Sequence, residues 1–207
     1  MTNSKRAFDI VCSAAGLMVL SPLLLLLSGL IVAQDGGGPI FTQARVGRMG
    51  RPFRMFKFRT MVRNAERRGL QLTVGADPRI TAVGRWLRRL KLDEVPQLLN
   101  VLRGEMSLVG PRPEVPVYVD KYTPEQRRVL ALTPGITDPA SIAYANESEL
   151  LAKSADPEHT YVHVIVPDKI RLNLEYAESA NAWSDVQVIF GTLRKVAAPA
   201  ARVGAVR

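Results

Sequence analysis

The sequence predicts an α+β protein, mostly helical with a small β-hairpin, held at a membrane by one N-terminal helix. Three observations carry this. Residues 10–33 hold no formally charged side chain and include Leu23-Leu24-Leu25-Leu26-Leu27. Residues 40–59 read as strand, turn, strand. Beyond residue 80, apolar positions recur at helical spacing between proline and glycine breaks. The expected organisation is a membrane helix over residues 1–34, a cytoplasmic, interface-associated domain over 35–200 and a flexible tail over 201–207.

Composition narrows the partners. The chain has 207 residues, with 28 Lys and Arg against 19 Asp and Glu, a net charge of +9. Such a balance calls for an acidic partner: nucleic acid, an anionic membrane surface or a phosphorylated substrate. One cysteine, Cys12, in the apolar run excludes a disulfide framework and a cysteine zinc site. His159 and His163 lie four apart with no carboxylate partner in register, and read as ordinary polar residues rather than metal ligands.

As a helix, residues 10–33 would be roughly 36 Å long, enough to cross the hydrocarbon core. The run is long for a cleaved signal peptide and lacks a clean small-x-small site. Ser21-Pro22 sits at its middle. Proline removes a backbone donor there, so a kink is expected, and the Ser21 hydroxyl can satisfy the freed carbonyl. Both flanks are basic: Lys5 and Arg6 before the run, Arg45, Arg48, Arg51 and Arg54 after it. The positive-inside tendency pulls both ends to the cytoplasm. The residues alone leave a kinked crossing and a re-entrant helix both open.

Residues 34–39 form a turn cluster at the domain boundary. Strands follow over 40–46 and 53–59. In the second, Phe56 and Phe58 fall on one face, Lys57 and Arg59 on the other. Residues 60–70 read as a basic helix and Asp77-Pro78-Arg79 as a turn. Residues 80–90 read as a helix with Trp86, Leu87 and Leu90 on one side and Arg85, Arg88 and Arg89 around them, which suits a membrane interface.

Leu92-Asp93-Glu94-Val95-Pro96-Gln97-Leu98-Leu99-Asn100 reads as a short amphipathic helix. Asp93 stands at the N-cap, Pro96 in the first turn, and Val95, Leu98, Leu99 and Leu102 form an apolar stripe. A bare Asp-Glu pair is most simply a solvated turn. Here Arg85, Arg88, Arg89 and Lys91 precede it, which suits chemistry on a phosphate. In Gly110-Pro111-Arg112-Pro113, two prolines fix the backbone around one arginine and lower the entropy cost of holding its guanidinium on an anion. Thr123-Pro124-Glu125-Gln126 is a capping box opening a helix to residue 132. Residues 138–166 read as irregular, with a short helix near 147–153. Helices over 168–179 and 184–195 close the fold.

Several of these motifs occur together and in order: Lys5-Arg6-Ala7-Phe8-Asp9, Ser21-Pro22, Gln43-Ala44-Arg45-Val46-Gly47, Phe56-Lys57-Phe58-Arg59-Thr60-Met61, Asp77-Pro78-Arg79-Ile80-Thr81, the Asp93-Glu94 segment and Gly110-Pro111-Arg112-Pro113. In this the chain resembles the bacterial sugar transferases that act on polyprenyl phosphate, the small monotopic phosphoglycosyl transferases. The likeness covers about residues 5–140. Val95 replaces the usual leucine after Asp-Glu. The segment from Pro134 to Ala140 departs from the commoner continuations and leaves the sugar unspecified.

The resemblance implies a monotopic protein with a re-entrant helix broken at Ser21-Pro22, on the cytoplasmic face of the bacterial inner membrane. It implies transfer of a sugar-1-phosphate from a UDP-sugar to undecaprenyl phosphate with release of UMP, the first membrane step of a capsule, exopolysaccharide, O-antigen or glycoprotein glycan. Asp93 would be the nucleophile, forming an aspartyl phospho-sugar. Glu94 would bind Mg²⁺, with Mn²⁺ as an alternative. Arg112 would bind phosphate. Lys57, Arg59, Arg79 and Arg88 would contact phosphate or the headgroups of anionic phospholipid, and Gln97 and Asn100 would tie the helix to nearby loops. The oligomeric state, a homo-oligomer included, stays open. The competing readings are a membrane-anchored nucleic-acid binder and a noncatalytic adaptor. The first lacks any recognisable nucleic-acid motif and meets two carboxylates where a polyanion would have to bind.

Overall fold

A computed structural model describes residues 2–65 and 72–197. It is mostly helical, with a small antiparallel sheet. Helix α1, Asn3–Asp35, opens with the Thr2 side chain accepting from the Lys5 amide and closes on Gly36 at φ 69°, a backbone state that glycine takes without steric cost. Helical structure runs uninterrupted through Ser21-Pro22. Pro22 has no N–H to give the Met18 carbonyl, and the Ser21 hydroxyl donates to it instead at 2.8 Å. The acceptor that proline would orphan is thus satisfied locally.

Among the described residues α1 is the one helix long and apolar enough to cross a membrane. Its middle is bare: Met18, Val19, Leu25 and Leu26 are 61–77% exposed. Both of its ends are built into the rest of the protein. Near the start, Arg6 donates to the carbonyls of Val101 and Leu102 at 2.5 and 2.9 Å, and Lys5 pairs with Asp185 at 2.5 Å. Near the end, Leu27 and Ile31 bury against Phe58 and Leu87, and Asp35 pairs with Arg59 at 2.5 Å.

Strands β1, Ile40–Val46, and β2, Pro52–Phe58, form the expected hairpin, with Ile40 opposite Phe58 and Val46 opposite Pro52. The helix expected over 60–70 is not present in its described part. There Met61 bridges to Ile80 and the Thr60 carbonyl takes the Thr81 amide at 3.0 Å; cross-chain pairing prevails over local helical tendency. Residues 66–71 and the tail 201–207 lie outside the described residues. Helix α2, Ala82–Arg89, is capped by Thr81. Leu87 is its buried anchor, whereas Trp86 is 47% exposed.

A 3₁₀ helix, Leu92–Gln97, runs into α3, Leu98–Leu102, and then β3, Ser107–Val109. Helix α4 is Pro116–Val119. The capping box forms as read, with Thr123 and Gln126 bonding reciprocally, but it opens a 3₁₀ helix, Gln126–Ala131. Strand β4, Gly135–Thr137, pairs in parallel with β3, a second small sheet that the sequence did not announce. Helices α5, Pro139–Ala143, α6, Glu147–Ala152, and α7, Pro157–Thr160, lead through a π-helical turn, Tyr161–Ile165, into α8, Val166–Ser179, and α9, Ala182–Ala197. The stretch read as irregular therefore consists of short helices, and it supplies Leu151, Tyr161 and Ile165 to the main core.

The β3–β4 contact holds the arginine loop in place. A Cβ on Gly135 would lie 2.1 Å from the Gly110 nitrogen, and one on Gly110 would lie 2.3 Å from the Thr133 carbonyl oxygen. Backbone is the obstacle in both cases, so neither clash is relieved by a rotamer change. Gly135→Ala is expected to cost about 3 kcal/mol, read as a lowered thermal midpoint of the purified protein. A midpoint within a degree of wild type would mean that the two backbones separate at little cost.

Candidate active site

Helix α2 ends at Arg89, and the chain then turns through Lys91 at φ 55°. That turn places Asp93 and Glu94 in the first turn of the 3₁₀ helix, with Lys91 in the N-cap position. Asp93 is therefore not the N-cap. The expected apolar stripe is not the buried face either. Asp93, Glu94, Pro96, Gln97, Asn100 and Val101 face inward, while Leu99 is 41% exposed. The segment presents its polar side to β2, where hydrogen-bonding partners wait. Asn100 accepts from the Phe56 amide at 3.0 Å and donates to the Arg54 carbonyl at 2.8 Å and to Glu105 at 2.7 Å. Asn100 thus ties the segment to the hairpin. Gln97 does not: it is fully buried, and both its amide atoms lack partners among the described residues.

The two adjacent carboxylates have opposite surroundings. Glu94 Oε1 accepts from Lys57 at 2.9 Å and from Arg112 at 2.5 Å, and Oε2 accepts from Arg112 at 3.1 Å. Burial by itself would raise the Glu94 pKa, but the Arg112 and Lys57 charges prevail and hold it well below the usual carboxylate range. Asp93 Oδ1 is buried with no partner among the described residues. Burial, with the neighbouring Glu94 charge second, pushes the Asp93 carboxyl up. Burial lowers the Lys57 ammonium to about 8, against the opposing pull of Glu94. Glu94 raises the Arg112 guanidinium further above its ordinary value.

The arginine loop is braced from behind. Arg45 donates to the Pro113 carbonyl at 3.0 Å and to Glu114 at 3.3 Å, and the Tyr161 hydroxyl donates to the other Glu114 oxygen. Along the chain Arg45 reads as part of a basic flank and of the Gln43-Ala44-Arg45-Val46-Gly47 motif, with no role attached, and Glu114 and Tyr161 carry no signal of a role. Only their convergence in space shows them as the support of Arg112.

The remaining candidates separate. Arg59 pairs with Asp35 at the end of α1. Arg79 closes its own turn on Asp77 at 2.6 Å. Arg88 donates to Thr60 at 2.8 Å and Thr73 at 3.2 Å; burial lowers its pKa, and the Asp93 charge opposes that shift most strongly. Lys57, Glu94 and Arg112 therefore meet beside Asp93, while Arg59 and Arg79 serve ion pairs elsewhere. His159 and His163 stack with ring centres 4.4 Å apart, away from this cluster.

The family model for bacterial sugar transferases matches residues 1–199. The chain belongs to the bacterial sugar transferase family. It is 36% identical, over 93% of its length, to a UDP-N-acetylgalactosamine-undecaprenyl-phosphate N-acetylgalactosaminephosphotransferase of Aeromonas hydrophila, covering 43% of that protein. It is 38% identical, over 92% of its length, to an undecaprenyl-phosphate glucose phosphotransferase of Komagataeibacter xylinus, covering 35% of it. It is 34% identical, over 93% of its length, to the exopolysaccharide production protein ExoY of Sinorhizobium fredii, covering 85% of it. The chain thus spans less than half of the first two relatives and most of the third.

For a bacterial sugar transferase, the metal question turns on the donor set. Among the described residues no group of three or more His, Cys, Asp and Glu is placed to hold an ion. The unpartnered Asp93 oxygen and the adjacent Glu94 are nevertheless hard oxygen donors. One or two carboxylates plus substrate phosphates are what Mg²⁺ usually takes. Two adjacent carboxylates are a donor set of that size and too few to cage an ion by protein alone.

Proposed function

We propose that this chain transfers a sugar-1-phosphate from a UDP-sugar to undecaprenyl phosphate, giving undecaprenyl-diphosphate-sugar and UMP, at the cytoplasmic face of the inner membrane. One observation carries the reading: of two adjacent buried carboxylates, Glu94 accepts from both Lys57 and Arg112, while an Asp93 oxygen has no partner among the described residues. An unpartnered anion beside two cations suits a nucleophile facing a phosphate that those cations neutralise.

In the first step an Asp93 oxygen attacks the phosphorus bearing the sugar. The new P–O bond forms as the bond to UMP breaks, and UMP departs with the electron pair. In the second, an oxygen of undecaprenyl phosphate attacks the same phosphorus and the aspartyl bond breaks. Lys57 and Arg112 bind the donor phosphates, with the loop around Arg112 preorganised by its two prolines and by Arg45. Glu94 would hold Mg²⁺ together with those phosphates, and the bound ion would supply charge neutralisation there.

The same reading takes α1 as re-entrant. Its two ends pack on one body while its middle is bare, and basic residues flank it on both sides. A helix dipping into one leaflet, with both ends on the cytoplasmic face, meets these facts and the positive-inside tendency together.

The direct test is mass spectrometry of the detergent-purified protein incubated with Mg²⁺ and a panel of UDP-sugars, without lipid acceptor. An adduct of sugar-phosphate mass on the Asp93 peptide, absent in Asp93→Asn, is expected and also names the sugar. UMP release only after undecaprenyl phosphate is added, with no adduct, would replace the covalent path by direct transfer.

This reading also predicts a pH profile. Asp93 must be ionised to attack, and its raised pKa places the acid limb of kcat/KM above that of an ordinary aspartate, about 3.9. Lys57 must be charged to bind phosphate, so activity falls as pH rises through about 8. Lys57→Arg should move the alkaline limb upward. A wild-type profile flat from pH 7 to 9.5 would remove Lys57 from phosphate binding.

A further inference from the structure

Arg112, besides bonding Glu94, lines a cleft between its own loop, the 3₁₀ helix Gln126–Ala131 and α8. The walls are aliphatic and prolyl: Val129, Leu132, Pro134, Val166 and Ile170. Most polar groups on the lining are already engaged. Glu114 holds Arg45 and Tyr161. Asp138 spends both oxygens on Ser141, at 3.0 and 2.5 Å. Lys169 is paired with Glu147.

Two polar groups remain. Asn173 is 6% exposed, lines the cleft, and has no side-chain hydrogen bond among the described residues. The Tyr122 hydroxyl lines the same cleft and is likewise unbonded there. The Asn173 amide therefore has its hydrogen-bonding capacity free for whatever the cleft binds.

We propose that this cleft takes the nucleobase of the donor, and that Asn173 reads the imide edge of its uracil. The inference rests on the nucleotide-sugar reading above and adds the residue that recognises the base. Uracil is flat, with two apolar faces and one polar edge that sets an N–H donor beside a carbonyl acceptor. An amide offers the complementary acceptor and donor side by side, and aliphatic walls suit the two faces. A hexose presents hydroxyls around its whole rim, whereas the polar lining side chains with no hydrogen bond among the described residues are Asn173 and Tyr122. Arg112 at the cleft's edge then holds the phosphates between the base and Asp93.

The test uses the full chain in nanodiscs and measures binding of UMP, ribose 5-phosphate and the matching sugar 1-phosphate by calorimetry or ligand-observed NMR, without metal or lipid acceptor. Asn173→Leu keeps the branched shape, with somewhat more bulk, and removes the amide. It is expected to weaken UMP on the order of tenfold to a hundredfold, leaving ribose 5-phosphate and sugar 1-phosphate unchanged. Tyr122→Phe should weaken UMP by less. Should Asn173→Leu fail to fold, judged by its thermal midpoint, Asn173→Ala serves with the same expectation. UMP affinity within twofold of wild type in these variants overturns the proposal. So does equal loss of UMP and ribose 5-phosphate, which would make Asn173 a matter of cleft shape, or selective loss of sugar 1-phosphate, which would make the cleft a sugar site. Wild type that binds neither UMP nor any UDP-sugar overturns the donor reading itself, an outcome distinct from loss in the variants alone.

Discussion

Asp93→Asn is expected to lower transfer by at least about 10⁴-fold, the scale seen when a covalent nucleophile is removed, and to leave the protein folded and more stable at neutral pH. The two halves of this expectation share one cause. The Asp93 carboxyl is buried beside Glu94, with an oxygen that lacks a partner. Its pKa is raised on folding, so keeping it ionised works against the folded state. That penalty is absent below the unfolded pKa, near 3.9, and grows as pH rises toward the folded value. Asparagine removes the charge and, with it, the penalty. A thermal midpoint at pH 7 equal to or above wild type, together with lost turnover, is the expected pair. A destabilised Asp93→Asn would mean that the carboxylate is structural. A stable variant with retained turnover would mean that Asp93 is not the nucleophile.

Glu94→Gln is expected to do the opposite to stability. Lys57 and Arg112 converge on Glu94, and all three side chains are largely buried. Removing the anion leaves two buried cations facing a neutral amide, a loss of about 3 kcal/mol. The sign can be checked with pH. Glu94 has a folded pKa well below its ordinary value, so its stabilising effect is complete above the unfolded value, about 4.3. It disappears as pH falls through the lower folded value. Wild type and Glu94→Gln should therefore differ in denaturant midpoint at pH 7 and converge in strong acid. A constant difference across that range would point to packing, not charge. Transfer activity should fall as well, since the ordering of Lys57 and Arg112 depends on Glu94.

The stability contrast between neighbouring residues was not legible in the sequence. Asp93 and Glu94 could be named as a pair from their motif, and Arg112 from the prolines beside it. Nothing along the chain distinguished Lys57 from Arg59, two residues apart in a segment that reads as one strand. The fold sends Lys57 to Glu94 and Arg59 to the end of α1. Arg79 also belonged to a recognisable motif, yet it pairs with Asp77, two positions before it. Asn173, some eighty positions from the Asp-Glu pair, carried no local signal.

What the sequence by itself determined were the elements whose signals are local. The apolar run specified α1, and the Ser21 hydroxyl stood ready for the carbonyl that Pro22 leaves unpaired. Alternation and turn residues specified the hairpin, and the reciprocal Thr123–Gln126 bonds followed from a four-residue pattern. The tertiary structure decided the rest, because the deciding contacts join residues far apart in the chain. The Asp93-Glu94 segment turned its polar side inward because β2 and the Arg112 loop supply hydrogen-bond partners there, which apolar periodicity does not encode. Residues 60–65 gave up helix for pairing with residues near Ile80. Residues 138–166, too broken by short elements to show a period, formed helices because burying Leu151, Tyr161 and Ile165 in a shared core outweighs their weak local preferences.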